Sequence, residues 1–264
     1  MADAREAEAL LPILQRTGVP AGGTLVVHSA IGILSRQGFR AEAMIETLLG
    51  HLDGGTLIMP TMTWRTVTPQ QPSWDELGTP SQTGVLSEVF RARYATTRSI
   101  HPTHSVSAFG RDAERLVARH HLDDTPVSAN SPYGLMRGDP AYILLLGVGL
   151  ESCTAIHLPE ETVAPEIYLR PAEQAELYQC RDRHGVIHAV RTRRHWRLDR
   201  DFPQFGPPLQ QKGLMHAGTI RGCPYAIVAL ADLLDAVFAA LRADPRGALR
   251  HAPDAAAPSM AATP

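Results

Sequence analysis

A histidine followed closely by two glutamates could carry out proton transfer in the middle of the chain. Glu160 lies three residues after His157 and Glu161 lies four residues after it, so on a helix both carboxylates share a face with the imidazole. A carboxylate bonded to one ring nitrogen fixes the tautomer and raises the basicity of the other nitrogen. If the chain is an enzyme, we expect His157 to be its base. The competing interpretation, commoner for a lone histidine in a half-apolar helix, is a structural residue.

A cysteine offers a second kind of chemistry on the same face. Cys153 precedes His157 by four residues, which on a helix would bring a thiol beside the expected base. Such a pair can act as a nucleophile that carries an acyl group. A cysteine more often fills a small space in the core, so both roles for Cys153 stay open.

Two further segments carry groups that suit a phosphorylated ligand. Residues 98–105 combine an arginine, hydroxyl groups and two histidines within one turn, although an exposed loop with an ordinary surface arginine accounts for them equally well. Residues 28–32 follow a predicted strand and precede a helix, where free backbone amides can bind phosphate. Small residues at a strand end usually make only a turn, so this second signal is weak alone.

The elements that must position these residues alternate between strands and helices. An apolar run that begins at Leu144 predicts a strand buried on both faces, and a helix follows it with Ser152 as a plausible cap. Ligands of open α/β sheets bind where a strand end feeds a loop and a helix. The alternation continues to residue 165 and favours an α/β sandwich with a mainly parallel or mixed sheet.

Hydrophobic periodicity predicts the bounds of the other elements. Helices are predicted over residues 3–16, 41–52, 84–93, 111–121, 131–136 and 224–241, with the charged helix at 111–121 exposed. Strands are predicted over residues 24–27, 56–59, 94–98 and 105–109.

The less regular parts of the chain set the predicted domain organisation. Residues 63–82 form a long polar stretch, in which two tryptophans favour a functional loop over disorder. Residues 166–200 are irregular and predict a hairpin with Gly185 at its turn. We predict a single domain over residues 1–251, with the region at about 166–200 inserted in it, and a disordered tail at 252–264.

The composition excludes several classes of protein. A chain of 264 residues with 44% apolar side chains can bury a large core, and a net charge of −2 gives no strong positive field for nucleic acid. No apolar run approaches a membrane span, and the N-terminus does not resemble a signal peptide, so we expect a cytoplasmic protein with no membrane partner. The 12 histidines are scattered and the 3 cysteines widely spaced, so we expect no bound metal. Gly147 and Gly149 lack the third glycine of a dinucleotide site.

Several short blocks of sequence occur in the same order as in one known family. The blocks are residues 25–29, 54–61, 83–88, 98–105, 130–135 and 144–160. Their shared order is more specific than any single block, and the match is continuous from about residue 8 to residue 165. On these blocks the chain resembles the aminoglycoside 3-N-acetyltransferases, the antibiotic N-acetyltransferases that use acetyl-CoA.

The resemblance implies a three-layer α/β/α sandwich around a mixed central sheet, distinct from the GCN5-type acetyltransferases. It implies direct transfer of acetyl from acetyl-CoA to the 3-N amine of a 2-deoxystreptamine ring, with His157 as base, Glu160 as its acidic partner and Thr154 beside the thioester. The residues that it implies for the cofactor are His28, Ser29, Ala30, Ile31, Gly32, Arg98, Ser99, His101, Thr103, His104, Ser105 and Val106.

The acceptors of this family are polycations, for which an acidic pocket is expected. The candidates for that pocket are Trp64, Asp75, Glu76 and Glu161. One departure points elsewhere, because arginines at 193 and 194 precede His195 where relatives that modify aminoglycosides carry acidic residues. The acceptor therefore stays open between an aminoglycoside and another amine metabolite, for instance an anionic one bound by Arg191, Arg193 and Arg194. A CoA-binding scaffold without activity is a further alternative, and a homodimer is possible.

Overall fold

A computed structural model describes residues 4–250, so the tail predicted at 252–264 lies outside the described residues. The strands are β1 Thr24–Ser29, β2 Thr56–Pro60, β3 Ser73–Asp75, β4 Thr97–Arg98, β5 Val106–Gly110, β6 Ala141–Leu146, β7 Glu176–Arg181, β8 Ile187–Thr192, β9 Met215–Ile220 and β10 Cys223–Ala229. The helices are α1 Ala4–Arg16, α2 Gly32–Ser35, α3 Ala41–Leu52, α4 Val85–Arg93, α5 Ala113–Val117, α6 Pro132–Leu135, α7 His157–Val163, α8 Pro165–Tyr168, α9 Gly206–Gln211 and α10 Leu230–Ala243. Turns of 3-10 helix cover His120–Leu122, Leu150–Ser152, Thr154–Ile156, Ala172–Gln174 and Phe202–Phe205.

The central sheet has seven strands in the order β4-β5-β2-β1-β6-β10-β9. Strands β2, β1 and β6 run parallel, whereas β4, β5, β9 and β10 pair antiparallel with their neighbours. Strands β1 and β6 are buried along nearly their whole length because both faces of the sheet are covered. The prediction of a mixed central sheet is confirmed.

Each face of this sheet packs against its own layer of helices. Alternate residues of a strand point to opposite faces, so Leu25 and Val27 lie in one core, with side chains of α1, α3 and α4, and Val26 lies in the other. The second core joins Val26 to Leu145 of β6 and to side chains of α5, α7 and α10, among them Val237. Two cores on opposite faces of one sheet make the predicted three-layer α/β/α sandwich.

A second, three-stranded sheet has the order β3-β7-β8. Strands β7 and β8 form the predicted hairpin, and Gly185 at its turn has a φ of 84°, which glycine adopts readily. The polar stretch at 63–82 is ordered, because its strand β3 pairs parallel with β7. The sheet packs around a core of its own that consists of Val67, Trp74, Tyr178, Cys180 and Val190. The prediction of one domain with an inserted region is untested and stays a prediction.

Four local predictions need correction. The helix predicted at 224–241 begins only at Leu230, because the apolar run at 223–229 pairs between β6 and β9 as a strand. The helix predicted at 111–121 shrinks to α5, whose Leu116 is buried rather than exposed. The strand predicted at 94–98 covers only Thr97–Arg98. Ser152 caps no helix, since two 3-10 turns separate β6 from the start of α7.

No helix within residues 4–250 is both long enough and apolar enough to cross a membrane.

Candidate active site

A cavity of about 990 Å³ opens at the edge of the central sheet where the parallel strands end. His28 and Ser29 at the end of β1 and Pro60 at the end of β2 line it, together with the loop that follows β6. Gly147 lets that loop touch the turn after β1, because its φ is 73° and a Cβ there would lie 2.2 Å from the Ala30 carbonyl oxygen. We call these strand ends and lining residues 148–157 the sheet wall.

The opposite side of the cavity comes from the small sheet and the segments that flank it. Trp64 and Arg65 precede β3, Arg170 precedes β7, and residues 194–197 and Arg200 follow β8. We call these residues the hairpin wall. The cavity therefore lies between two parts of the fold that belong to different sheets.

The expected base lies on the sheet wall, next to its expected acidic partner. Helix α7 begins at His157, and its Nδ1 lies 2.6 Å from Oε2 of Glu160 one turn later. Arg200 donates from Nε to Oε1 of the same carboxylate at 2.8 Å. Burial opposes the ionisation of Glu160, but the interactions with His157 and Arg200 outweigh it and hold the pKa of Glu160 below its ordinary value. The ionised carboxylate can hold a proton on Nδ1, so Nε2 of His157 is left as the basic nitrogen.

A second histidine covers the first. The ring of His195 stacks on His157 with centroids 4.2 Å apart, and its Nε2 lies 2.8 Å from Oε1 of Glu161. Burial, together with the neighbouring His157 and His104, lowers the pKa of His195 well below its ordinary value. Burial raises the pKa of Glu161 to about 8. Near neutral pH the Glu161 carboxyl is therefore largely protonated and lies beside the neutral ring of His195.

Thr154 and Cys153 stand just before the base. Both side chains are buried and both residues line the cavity, so the Thr154 hydroxyl lies in the region where an acyl group would react. Burial raises the pKa of the Cys153 thiol to about 12, which leaves it protonated at neutral pH. The geometry therefore favours the packing role over the nucleophilic role for Cys153.

Three side chains here could also be considered as metal ligands. His157, Glu160 and His195 each offer one ligand atom, and these atoms lie within 4.8 Å of one another. Both oxygens of Glu160 already accept hydrogen bonds, from His157 and from Arg200. The hydrogen bonds that join Glu160 to His157 and Arg200 therefore account for the position of its carboxylate. The expected absence of a bound metal stays a prediction.

The predicted cofactor residues divide into two groups. His28, Ser29, Thr103 and His104 line the cavity. The others do not line it: Ala30, Ile31, Gly32, Arg98, Ser99, His101, Ser105 and Val106. The turn after β1 is less open to phosphate than predicted, because the amide of Ala30 donates to the carbonyl of Leu146 at 2.8 Å.

The largest correction among them concerns Arg98. Its side chain is buried, and its guanidinium donates to the carbonyls of Thr61 and Thr79, each at 2.6 Å. It also lies over the ring of Trp74, with 4.9 Å between the guanidinium carbon and the ring centroid. Arg98 therefore joins the two sheets and has no free fork for a phosphate. His101 is equally internal, with its Nδ1 accepting from the amides of Thr103 and His104.

The predicted acidic pocket for the acceptor does not form. Trp64 lines the cavity, but the Asp75 carboxylate accepts from the backbone amides that follow it. Glu76 is buried in an ion pair with Arg183 at 2.5 Å, and Glu161 lies behind His195. These three carboxylates are internal partners, because each contacts a group of the fold and none of them lines the cavity.

The cavity is instead lined by cations. Five arginines line it, namely Arg65, Arg170, Arg194, Arg197 and Arg200. Among the described lining residues the only carboxylate is that of Glu151. The basic run thus faces the cleft through Arg194 and Arg197, whereas Arg191 is exposed elsewhere and Arg193 pairs with Asp124.

Sequence analysis did not assign two residues to the site, Arg200 and His195. Arg200, the second partner of Glu160, is 40 residues away along the chain, and no spacing links the two. His195 was visible only as the histidine after two arginines. A signal existed for the cations, because residues 191–197 are strongly basic, but not for which of them face inward.

Sequence comparison finds one family. The family model described as aminoglycoside 3-N-acetyltransferase matches residues 26–242. Aminoglycoside N(3)-acetyltransferase IV from Salmonella sp is 34% identical over 157 residues, which cover 59% of this chain and 58% of the relative. The aligned stretch therefore spans less than two thirds of that relative's length.

Solved structures with the same fold carry ligands in this family. A mutant of aminoglycoside acetyltransferase AAC(3)-IVa in complex with gentamicin is 26% identical, with a TM-score of 0.75 over 96% of this chain and 92% of that chain. AAC-IIIb in binary complex with CoASH is 21% identical, with a TM-score of 0.74 over 94% of this chain and 97% of that chain. At that identity the second likeness concerns the fold alone.

Proposed function

The chain belongs to the aminoglycoside 3-N-acetyltransferase family and is a transferase, and we propose that it moves acetyl from acetyl-CoA to a primary amine, with His157 as general base. The names of the relatives support an aminoglycoside as the acceptor, acetylated at the 3-N position of its 2-deoxystreptamine ring. The related structure with CoASH supports coenzyme A as the carrier. On this proposal His28, Ser29, Thr103 and His104 are the predicted cofactor residues that can still touch it.

The single observation that carries the proposal is the 2.6 Å contact between His157 Nδ1 and Glu160 Oε2 at the cavity wall. An ammonium group cannot attack a carbonyl, so a base must first remove its proton. Nε2 of His157 is the nitrogen available for that step, and the ionised Glu160 stabilises the imidazolium that results.

The remaining steps follow from acyl-transfer chemistry. The free amine attacks the thioester carbonyl, and the negative charge on its oxygen needs hydrogen-bond donors. The hydroxyl of Thr154 and nearby backbone amides can supply them. The sulfur of the leaving CoA can then take this first proton from His157. The second proton, which the nitrogen loses as the amide forms, passes to His157 and on to solvent. No acyl group needs to rest on the protein, in keeping with the buried thiol of Cys153.

A second class of acceptor is favoured by the lining of the cavity. Five arginines and one carboxylate would repel a polycation more than they would attract it. An amine metabolite other than an aminoglycoside is therefore the alternative acceptor.

The proposed activity is tested by a turnover screen. Protein and acetyl-CoA are incubated with aminoglycosides and simple amine metabolites, free thiol is detected with a disulfide reagent, and the product mass is measured. We expect thiol release that depends on an amine, with a product 42 Da heavier than the acceptor, the mass of an acetyl group in place of a hydrogen. Binding of acetyl-CoA without acetylation of any amine would contradict the proposal.

A further inference from the structure

The cations that line the cavity are not equally occupied by partners within the fold. Arg194 donates to Glu176, to the hydroxyl of Tyr178 and to two backbone carbonyls, so four of its five N–H donors are occupied within the fold. Arg200 is paired with Glu160. Within residues 4–250, the guanidinium groups of Arg65 and Arg197 form no ion pair or hydrogen bond, and that of Arg65 lies over the ring of Trp64. Two exposed guanidinium groups therefore face the cavity with their donors free.

Two further arginine nitrogens on the hairpin wall have no hydrogen-bond acceptor among the described residues. The Nε of Arg170 and the Nη2 of Arg200 are buried and have no hydrogen-bond partner among the described residues. Arg170 has only a distant carboxylate, Glu176 at 3.6 Å. A buried donor without an acceptor is costly, so an acceptor from outside the fold is expected there. Both residues line the cavity, so an acceptor held there lies next to their side chains.

The chemistry of these groups defines the ligand. A guanidinium presents a planar fork of donors that matches the oxygens of a phosphate or a carboxylate. Several like charges in one cleft reinforce each other's field and draw in anions. Among the described lining residues only Glu151 carries negative charge, and its Oε1 accepts from the amide of Gly149.

We infer that the hairpin wall is an anion-binding subsite, formed by Arg65, Arg170 and Arg197, and that the amine acceptor carries an acidic group that binds there. This inference rests on the proposed acetyl transfer and deepens it by naming the acceptor class. The acid, a phosphate or a carboxylate, docks on the hairpin wall, and the amine reaches His157 on the sheet wall. A polycationic acceptor lacks the group that this wall binds.

The phosphates of coenzyme A are the rival source of the same chemistry. The experiment separates the two sources by comparing matched amines at saturating acetyl-CoA. One pair is glucosamine and glucosamine 6-phosphate, and the other is β-alaninamide and β-alanine. We expect the acidic member of at least one pair to have a kcat/KM about 10-fold to 100-fold higher, the range expected for one or two charge-assisted hydrogen bonds.

Three variants assign that preference to residues. Arg65→Gln and Arg197→Gln are each expected to raise the KM of the acidic amine about 10-fold, with the KM of acetyl-CoA unchanged. Arg191→Gln is the matched control, because Arg191 is also an exposed arginine of the basic run but does not line the cavity. It should change neither constant.

A second measurement does not depend on turnover. Phenylglyoxal modifies accessible arginines, and mass spectrometry reports the extent at each position. In protein saturated with CoA, Arg65 and Arg197 should stay reactive, and inorganic phosphate or the preferred acidic amine should protect them, with Arg191 as internal control.

Several results would overturn the inference. If CoA alone protects both arginines, or if the variants raise only the KM of acetyl-CoA, the cations serve the donor. If aminoglycosides are acetylated and neither acidic amine is preferred, the acceptor class is wrong while the proposed acetyl transfer stands. If acetyl-CoA binds and no amine of any class is acetylated, the proposed function itself fails.

Discussion

The two walls of the cavity are held in place by very different amounts of core. The sheet wall is anchored in strands β1, β2 and β6 and in helix α7, which are buried between the two large cores of the sandwich. The hairpin wall is supported by the small sheet, whose core has Trp74 and Tyr178 as its largest side chains. Arg98 joins this small unit to the central sheet through hydrogen bonds. Arg194 joins the loop at 64–67 to strand β7 within the unit.

The two walls also differ in the chemical groups that they present to the cavity. The sheet wall contributes hydrogen-bonded or buried groups, namely the His157–Glu160 pair, Thr154 and His28, whose pKa burial lowers to about 4. The hairpin wall contributes exposed cations, Arg65 and Arg197. A reaction that needs fixed geometry is therefore assigned to the rigid wall, and recognition of the acceptor to the wall with fewer constraints. Changes at Arg65 or Arg197 can therefore alter the acceptor without disturbing the His157–Glu160 pair.

The largest expected effect is on the sheet wall. His157→Ala should lower kcat about 1,000-fold, within the range for a general base, because the amine stays protonated. The affinity for acetyl-CoA, measured by calorimetry, should change little. His216→Ala is the control, since His216 is an exposed histidine of β9 away from the cavity. Turnover near that of the unmodified protein in His157→Ala would assign the base elsewhere.

The next largest expected effect is on stability, through the hydrogen bonds of Arg194 within the hairpin wall. Arg194→Ala removes the contacts to Glu176, to Tyr178 and to two carbonyls of the loop at 64–67. We expect the free energy of unfolding to fall by about 2–3 kcal/mol, because buried acceptors lose their donor. Arg191→Ala should change it by less than about 0.5 kcal/mol. Urea unfolding measures both, and equal losses in the two variants would mean that Arg194 does not hold this wall.

The smallest expected effect concerns the buried carboxyl group of Glu161, which lies beside His195. Burial raises the pKa of Glu161 to about 8, whereas an unfolded glutamate has a pKa of about 4.3. The folded protein thus keeps a proton that the unfolded chain releases, so the stability from this group is full below about pH 4.3 and falls as pH rises towards 8. Glu161→Gln cannot ionise and should gain about 1–2 kcal/mol relative to the unmodified protein between pH 6 and 8. Parallel stability curves for the two proteins over that range would show that Glu161 is ionised in the folded state.

Local spacing was enough to predict the contact between His157 and Glu160 but not its surroundings. His157 and Glu160 are three residues apart, so helical geometry alone brings them together. Strand β6 was equally readable, because a strand that is covered on both faces often carries a continuous apolar run such as that of residues 143–146. Both features depend on neighbours in the sequence.

The rest depended on contacts between distant segments. The fork of Arg98 is filled by carbonyls at Thr61 and Thr79, so a residue that suits a phosphate became a structural link. The run at 223–229 has a helical pattern of apolar residues and becomes a strand only because β6 and β9 pair with it. The direction in which each arginine of the basic run points is likewise set by the partners it finds, such as Glu176 for Arg194 and Asp124 for Arg193.

Chemical rescue is the most direct test of the claim that the imidazole at position 157 takes the proton of the amine. Turnover of His157→Ala is measured at rising concentrations of imidazole, with saturating acetyl-CoA and acceptor. The account predicts that added imidazole restores part of the lost rate, in proportion to its unprotonated form as pH is varied, and leaves His216→Ala unaffected. A variant that keeps acetyl-CoA affinity and turns over at the unmodified rate without imidazole would contradict it.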